Sequence, residues 1–239
     1  MATALVTGAT AGIGNSFARL LARQGHDLVL IARDEPRLQR VAADLTAAHG
    51  VAVEVIRADL SIAAECAWVE ARLADAERPI DVLVNNAGYS VDQRFTSGAL
   101  EREQAMFDVL TRAVMRLSHA AARPMMSRGS GVIINVSSVA GWIPQSTYGA
   151  AKSYVTAFSR ALRRETSRSG VKVTALCPGY TATEFHERAN YAMGRVPRFM
   201  VLDADAVVAQ GWRDAQRGRA LSIPGPMYRI ARFLLRFAY

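Results

Sequence analysis

The chain has 239 residues, a mass of 25.9 kDa and a formal net charge of +8. Apolar residues make up 51% and charged residues 21%; this balance supplies a sizeable core and excludes a disordered chain. Two cysteines, Cys66 and Cys177, exclude a disulfide-stapled mini-protein, and with four scattered His they leave no dedicated metal site.

The basic excess comes from 27 Arg against two Lys. These residues are spread along the chain and not interleaved with aromatics, so they read as solvated helix faces and not as a nucleic-acid surface. Both cysteines sit in apolar runs and read as buried free thiols of a cytosolic protein. The opening MATALVTG reads as a strand and not as a leader, and no apolar stretch is long enough to span a bilayer.

Short β-branched runs predict strands at Thr3–Thr7, Asp27–Ala32, Val51–Ala58, Val82–Asn85, Val132–Val136, Val171–Leu176 and Ala220–Ile223. Helical spacing lies between them, as in Ile13–Arg23 with Phe17, Leu20 and Leu21 on one face. Alternating strands and helices imply one α/β domain over 1–239, a doubly wound, mostly parallel seven-stranded sheet with helices on both faces. A loosely patterned insertion at 184–204 precedes a helix near Ala206–Arg217. It falls near the C-terminal strand ends, where doubly wound sheets bind ligands.

After the first strand, Gly8, Gly12 and Gly14 punctuate Thr7-Gly8-Ala9-Thr10-Ala11-Gly12-Ile13-Gly14, which opens into a helix. Glycines permit a tight turn and close approach of backbone to a pyrophosphate, and the helix N-terminus adds free N–H groups. The second strand ends Leu30-Ile31-Ala32-Arg33. Ala32 stands where an acid would accept from the adenosine ribose, and Arg33 can fork onto a 2′-phosphate. This predicts NADP(H) over NAD(H). Asp34 and Glu35 can open the next helix, where acids suit the dipole. Asp59, before Leu60, could accept from an adenine amino group or cap a helix.

Tyr148 and Lys152 are four apart, hence on one helix face. An ammonium and an oxidised nicotinamide beside the phenol would favour the phenolate and let it exchange a proton near neutral pH. Upstream, Asn135-Val136-Ser137-Ser138 ends a strand and brings hydroxyls to the same sheet edge.

With these motifs the chain resembles the short-chain dehydrogenase/reductase family over essentially its whole length. TGATAGIG at 7–14, Asn85-Asn86-Ala87-Gly88, Ser138, Tyr148 with Lys152, and Pro178-Gly179 with Thr183 match the family's elements in order. The strand end at Arg33 and the stretch Glu184–Arg188 resemble an NADP-dependent branch similar to ketoacyl and hydroxysteroid reductases.

The resemblance implies a Rossmann-type fold and hydride transfer between nicotinamide and a carbonyl/alcohol pair. Tyr148 is then general acid or base, Lys152 lowers its pKa and holds the nicotinamide ribose, and Ser138 bonds the substrate oxygen. Gly8, Thr10, Gly12, Ile13, Gly14, Arg33, Asp59, Leu60, Asn86, Ala87, Gly88, Pro178, Gly179, Thr181 and Thr183 are the implied cofactor contacts. Asn86, Ala87 and Gly88 line the adenosine–ribose side and stabilise the sheet, and Thr183 steadies the pyrophosphate or carboxamide.

Two departures stand out. Leu110 occupies the place of an Asn that usually holds a relay water, which leaves the relay to backbone or Thr111. Otherwise the protein is a weakly active or non-catalytic NADP(H)-binding regulator. The Ser138–Tyr148 loop is also short. Val139–Gln145, Tyr89–Arg94, Tyr180 and the 184–204 insertion should form the pocket rim. Trp142, Ile143, Phe185, Tyr191, Met193, Phe199 and Met200 favour a hydrophobic ketone or alcohol. The tail Pro226–Tyr239 sets Arg229, Arg232 and Arg236 at helical spacing beside Ile230, Phe233, Leu234 and Phe237. Such a helix can lie on a membrane surface, pack on a second subunit or close over the pocket. The family resemblance implies a homo-oligomer.

Overall fold

Seven short strands, most of them rich in Val, Ile and Leu, pair side by side. The computed structural model describes residues 2–143, 145–185 and 196–235. The strands are β1 (Thr3–Thr7), β2 (Asp27–Ala32), β3 (Val53–Arg57), β4 (Val82–Asn85), β5 (Gly131–Val136), β6 (Val171–Leu176) and β7 (Leu221–Ser222), in the order β3-β2-β1-β4-β5-β6-β7. Every pair is parallel, where a mostly parallel sheet was expected. The expected third strand is too long at both ends. Val51 and Ala58 are buried, so their apolar character serves packing and not the ladder. β7 is likewise shorter than Ala220–Ile223.

Helices cover both faces, because a parallel sheet buried on both sides needs them. On one face, α1 (Gly12–Arg23), α2 (Glu35–His49) and α7 (Ala204–Gln216) bury Phe17, Leu21, Leu38 and Trp212. On the other, α3 (Ala63–Ala74) and α5 (Val114–Arg128) bury Val69, Leu73, Leu117 and Met125, with Leu162 of α6 (Thr147–Glu165) packed against them. Both cysteines are buried free thiols.

β1 lies between β2 and β4, so the chain reverses its direction of winding there. That switch point opens a crevice at the C-terminal strand ends. Inside the sheet, Asn85 of β4 donates to Asn135 of β5 (2.9 Å), which donates to Ser159 of α6 (2.9 Å). This buried polar chain fixes the ends of β4 and β5 relative to α6.

The α4 helix (Leu100–Phe107) runs through a π segment, Asp108–Ala113, into α5. The tail forms α8 (Pro226–Leu235), which buries Tyr228 and exposes Ile230, Phe233 and Leu234. Arg236 and Phe237 of the tail, and Tyr191 and Met193 of the insertion, lie outside the described residues. Among the described residues, no helix is long and apolar enough to cross a membrane.

Candidate active site

The loop after β1 enters α1 without a side-chain cap. Ala11 holds the cap position, and no acid stands in the first turn. The free N–H groups and positive end of α1 therefore suit an anion. Gly8 and Gly12 have φ of 68° and 53°, a region that favours glycine. A Cβ on Gly14 would lie 2.2 Å from the Gly8 carbonyl oxygen, so only glycine lets the helix start this close to the loop. The Asn86 amide donates to the carbonyls of Thr7 (2.9 Å) and Gly8 (3.2 Å), and the Thr7 hydroxyl accepts from the N–H groups of Asn86 and Ala87. Asn86 thus ties the end of β4 to the glycine loop. Thr10 is half-buried, and Ile13 packs on the core. The cradle of backbone donors with no Cβ in the way fits a pyrophosphate.

At the end of β2, the Arg33 guanidinium lies 3.7 Å from the Asp59 carboxylate and 5.7 Å from the Tyr89 ring centroid. Its side chain remains 62% exposed, so an anion can reach it. Burial raises the Asp59 pKa, but hydrogen bonds from Ser61 and the charges of Arg33 and Arg57 outweigh it and hold the carboxyl below its ordinary value. Asp59 caps no helix. It accepts from the Ser61 N–H (2.9 Å) and hydroxyl (2.7 Å), while Ile62 holds the cap position of α3. Asp34 does cap α2, by accepting from the Arg37 N–H at 3.0 Å. The Leu60 side chain is buried in the core, which leaves only its backbone for a ligand.

The residues expected to react, Ser138, Tyr148 and Lys152, come together at the end of β5 and the start of α6. Ser138 follows β5 and heads a 3₁₀ turn, Val139–Trp142, its hydroxyl accepting from Ala140 N–H at 3.1 Å. It is near enough to the Tyr148 hydroxyl to favour the phenolate. Tyr148 lies in the first turn of α6, capped by Ser146. One turn on, the Lys152 ammonium sits 5.6 Å from the Tyr148 ring centroid and donates to the Val136 carbonyl at 2.7 Å. The Ser137 hydroxyl bonds the Lys152 carbonyl (2.6 Å) and Thr156 (2.7 Å), which anchors α6 on β5.

The electrostatics of the chain by itself run opposite to the expected lowering of Tyr148. Burial pushes the phenol above its ordinary value, and the Ser138 hydroxyl only partly offsets this. Burial also pulls the Lys152 ammonium down to about 8. The ammonium meets the Val136 carbonyl and the Tyr148 ring, and burial outweighs every other influence on the phenol.

Leu110 is fully buried in the π segment, packed with Met106 and Ala151. A Cβ on Gly88 would lie 2.7 Å from Leu110 Cδ2 and 3.8 Å from Lys152 Nζ, so these three residues meet. Thr111 is buried and its one hydroxyl proton is engaged. Its hydroxyl donates to the Phe107 carbonyl at 2.6 Å, one turn back along its own helix. The Val136 carbonyl is the group that meets the ammonium.

The segment after β6 closes the site. The Pro178 carbonyl accepts from Val139 N–H at 3.1 Å. Gly179 lies under the Tyr228 ring, whose hydroxyl accepts from Tyr180 N–H (3.1 Å) and donates to the Met200 carbonyl (2.7 Å). Thr181 is buried and donates to the Gly179 carbonyl at 3.0 Å, whereas Thr183 is half-buried against Gly12. A cavity of 360 Å³ opens beside Tyr148, lined by Ser90, Val91, Gln93, Arg94, Phe95 and Gln145 among others. This mouth is more polar than the expected rim: Phe199 is exposed, and Trp142 lies beneath Arg232 at 5.3 Å.

The model of the short chain dehydrogenase family matches residues 2–193. The chain belongs to this family. A short-chain dehydrogenase from Sphingobium yanoikuyae, solved in complex with NADPH, superposes with a TM-score of 0.92 at 38% identity, covering 100% of this chain and 93% of that one. The bulky-bulky ketone specific alcohol dehydrogenase from Comamonas testosteroni gives a TM-score of 0.86 at 31% identity, with the same coverage. An uncharacterized oxidoreductase of Staphylococcus epidermidis is 34% identical over 191 residues, which is 79% of this chain and 81% of that one. The protein is thus an oxidoreductase of short-chain dehydrogenase type with the Rossmann-like fold of its relatives.

Three features of this short-chain dehydrogenase escape sequence reasoning. Tyr89 stacks on Arg33, Tyr228 fills the space over Gly179, and Arg37 bonds Glu184. Tyr89 and Glu184 fall on the expected pocket rim, within Tyr89–Arg94 and the 184–204 insertion, but their partners Arg33 and Arg37 do not.

Proposed function

We propose that the protein is an NADP(H)-dependent oxidoreductase acting on a ketone or secondary alcohol with a hydrophobic frame. The observation that carries this reading is the placing of Tyr148 in the first turn of α6 with the Lys152 ammonium 5.6 Å from its ring, and of Ser138 at the end of β5 where its hydroxyl lowers the phenol pKa. Gly8, Thr10, Gly12, Ile13 and Gly14 hold the pyrophosphate. Pro178, Gly179 and Thr183 flank the nicotinamide half, Asn86, Ala87 and Gly88 line the adenosine–ribose side, and Arg33 meets the 2′-phosphate. Bound nicotinamide supplies or accepts the hydride. Ser138 orients the substrate oxygen, and Tyr148 Oη donates the proton to it in reduction and removes it in oxidation. Lys152 keeps positive charge beside that proton transfer.

The exposed guanidinium of Arg33 and the relationship to an NADPH-bound dehydrogenase support NADP(H) over NAD(H). The 360 Å³ cavity suits a small molecule. Val91 and Phe95 offer apolar contact, and Gln93 and Arg94 hydrogen bonds at the mouth. The relationship to a bulky-ketone dehydrogenase agrees with that size class. A homo-oligomer follows from family membership, and the exposed apolar face of α8 could meet a membrane surface.

A second reading, a nicotinamide-binding protein of low activity, is favoured by Leu110 alone. Fluorescence titration with NADPH and NADH tests the cofactor. NADPH should bind much more tightly, and Arg33→Ala should weaken NADPH far more than NADH; equal losses would contradict the phosphate role. Turnover of bulky ketones by the wild type, absent from Tyr148→Phe, separates the two readings.

A further inference from the structure

Three consecutive residues beyond β6 touch three separate parts of the crevice. Thr183 lies against Gly12, where an added Cβ would meet its Cβ and Cγ2 at 3.0 Å. Glu184 accepts two hydrogen bonds from the Arg37 guanidinium, Nη1 to Oε2 at 2.9 Å and Nη2 to Oε1. The Phe185 ring lies 5.7 Å from the Tyr148 ring. The strap is rooted by a parallel bridge between Thr181 and Leu202, with Ala182 N–H donating to the Leu202 carbonyl at 2.9 Å.

In the sheet order, β6 and β2 are four strand spacings apart, about 19 Å. Arg37 lies in the first turn of the helix that follows β2. A contact from the β6 side to that helix must therefore pass over the ends of β1, β4 and β5, which is the crevice of the switch point. The strap crosses the glycine loop on the way.

We propose that Arg37 and Glu184 form a latch that retains the bound dinucleotide, with Glu184 as a positioning residue that sets the strap. The inference rests on the reading that the crevice binds a nicotinamide dinucleotide. The two-pronged geometry is the stronger form of such a pair. Both side chains are about one-third exposed, at 32% and 39%, so the fastening is weak enough to open in each cycle. A latch of this kind acts on the rate of cofactor release. It does not distinguish NADPH from NADH, because it closes over the part that both share. Were Arg37 instead a ligand of the 2′-phosphate, Glu184 would compete with that phosphate, and removing Glu184 would tighten NADPH alone.

Stopped-flow displacement of NADPH and of NADH from the full-length protein separates these cases. Glu184→Gln and Arg37→Gln should each speed release of both nucleotides by about three- to fivefold. The charge swap Arg37→Glu/Glu184→Arg should recover much of the loss, which a merely structural role would not produce. Raising salt should speed release from the wild type more than from Glu184→Gln. Unchanged release in both single variants, or an effect confined to NADPH, overturns the latch while leaving the cofactor reading intact. A wild type that binds neither nucleotide overturns both.

Discussion

The Lys152 ammonium donates to the Val136 carbonyl at 2.7 Å, so the second strand-end carbonyl before Ser138 holds the charge that α6 carries into the site. The price of this arrangement is a buried cation whose pKa falls to about 8. The role proposed for Lys152 and the stability of the fold therefore pull in opposite directions at one residue.

Replacing Lys152 with Met should stabilise the fold at pH 7. A fall from 10.5 to about 8 corresponds to a penalty of about 3 kcal/mol for the charged form. Losing the donor to Val136 returns about 1–2 kcal/mol of that. The net gain of about 1–2 kcal/mol should raise Tm by a few degrees, as read by calorimetry. The sign with pH is definite. Between about 8 and 10.5, the unfolded chain holds a proton that the folded chain has released, so the wild type gains stability as pH rises. The advantage of the variant should be full below pH 8 and shrink towards pH 10.5. A variant less stable than the wild type at pH 7 would refute the burial argument.

Tyr148→Phe should lower turnover by about 10²–10⁴, while NADPH affinity barely changes. Because burial holds the phenol above its ordinary pKa, Tyr148 by itself stays protonated at neutral pH, ready to donate in reduction. The pH dependence of reduction should then follow Lys152. The rate should fall as pH rises through about 8, where the ammonium loses its proton. A pH profile flat to 10, or full activity in the Phe variant, would remove these groups from the reaction.

Leu110→Asn restores the amide that the family usually carries, yet it should not restore a faster enzyme. Leu110 is 0% exposed and packed against Met106 and Ala151. An amide placed there without partners costs about 1–3 kcal/mol, and the lost apolar contacts add to it. Tm should drop by several degrees, with turnover unchanged or lower. A stable variant with faster turnover would show that the site accepts an amide and a relay water.

Periodicity and local spacing explain what could be read from the chain. β1, β2, β4 and β6 are legible to the residue because runs such as Leu28–Ile31 are buried on both faces and bounded by polar or turn residues. Tyr148 and Lys152 are legible because four-residue spacing on a helix places them together by geometry alone. Arg37 and Glu184 are not, since 147 positions separate them and each lies at the end of an element, where no period operates. Leu110 sits in a π segment, whose altered repeat breaks the helical spacing, so its place at the site is legible from the family resemblance and not from periodicity. The cavity mouth is legible in part, since Ser90, Val91, Gln93, Arg94 and Gln145 fall in the expected rim segments, whereas Phe95, Thr96, Ser146 and Thr147 lie just past their ends.

Gly179 and Tyr228 offer the sharpest test of how the tail is held. A Cβ on Gly179 would lie 2.0 Å from Tyr228 Cζ, so Gly179→Ala must displace the ring. The displaced hydroxyl would give up its bonds to Tyr180 N–H and the Met200 carbonyl, freeing α8 from the strand-end segment. Overpacking of this kind costs about 1–3 kcal/mol, and the two hydrogen bonds add about 1 kcal/mol each. Tyr228→Ala removes the obstacle at the cost of its own burial and bonds. In that background, Gly179→Ala should be nearly free, giving a coupling equal to its whole cost, about 3–5 kcal/mol, in a urea-melt double-mutant cycle. Additive losses would mean that α8 is held elsewhere and that Gly179 answers to another constraint.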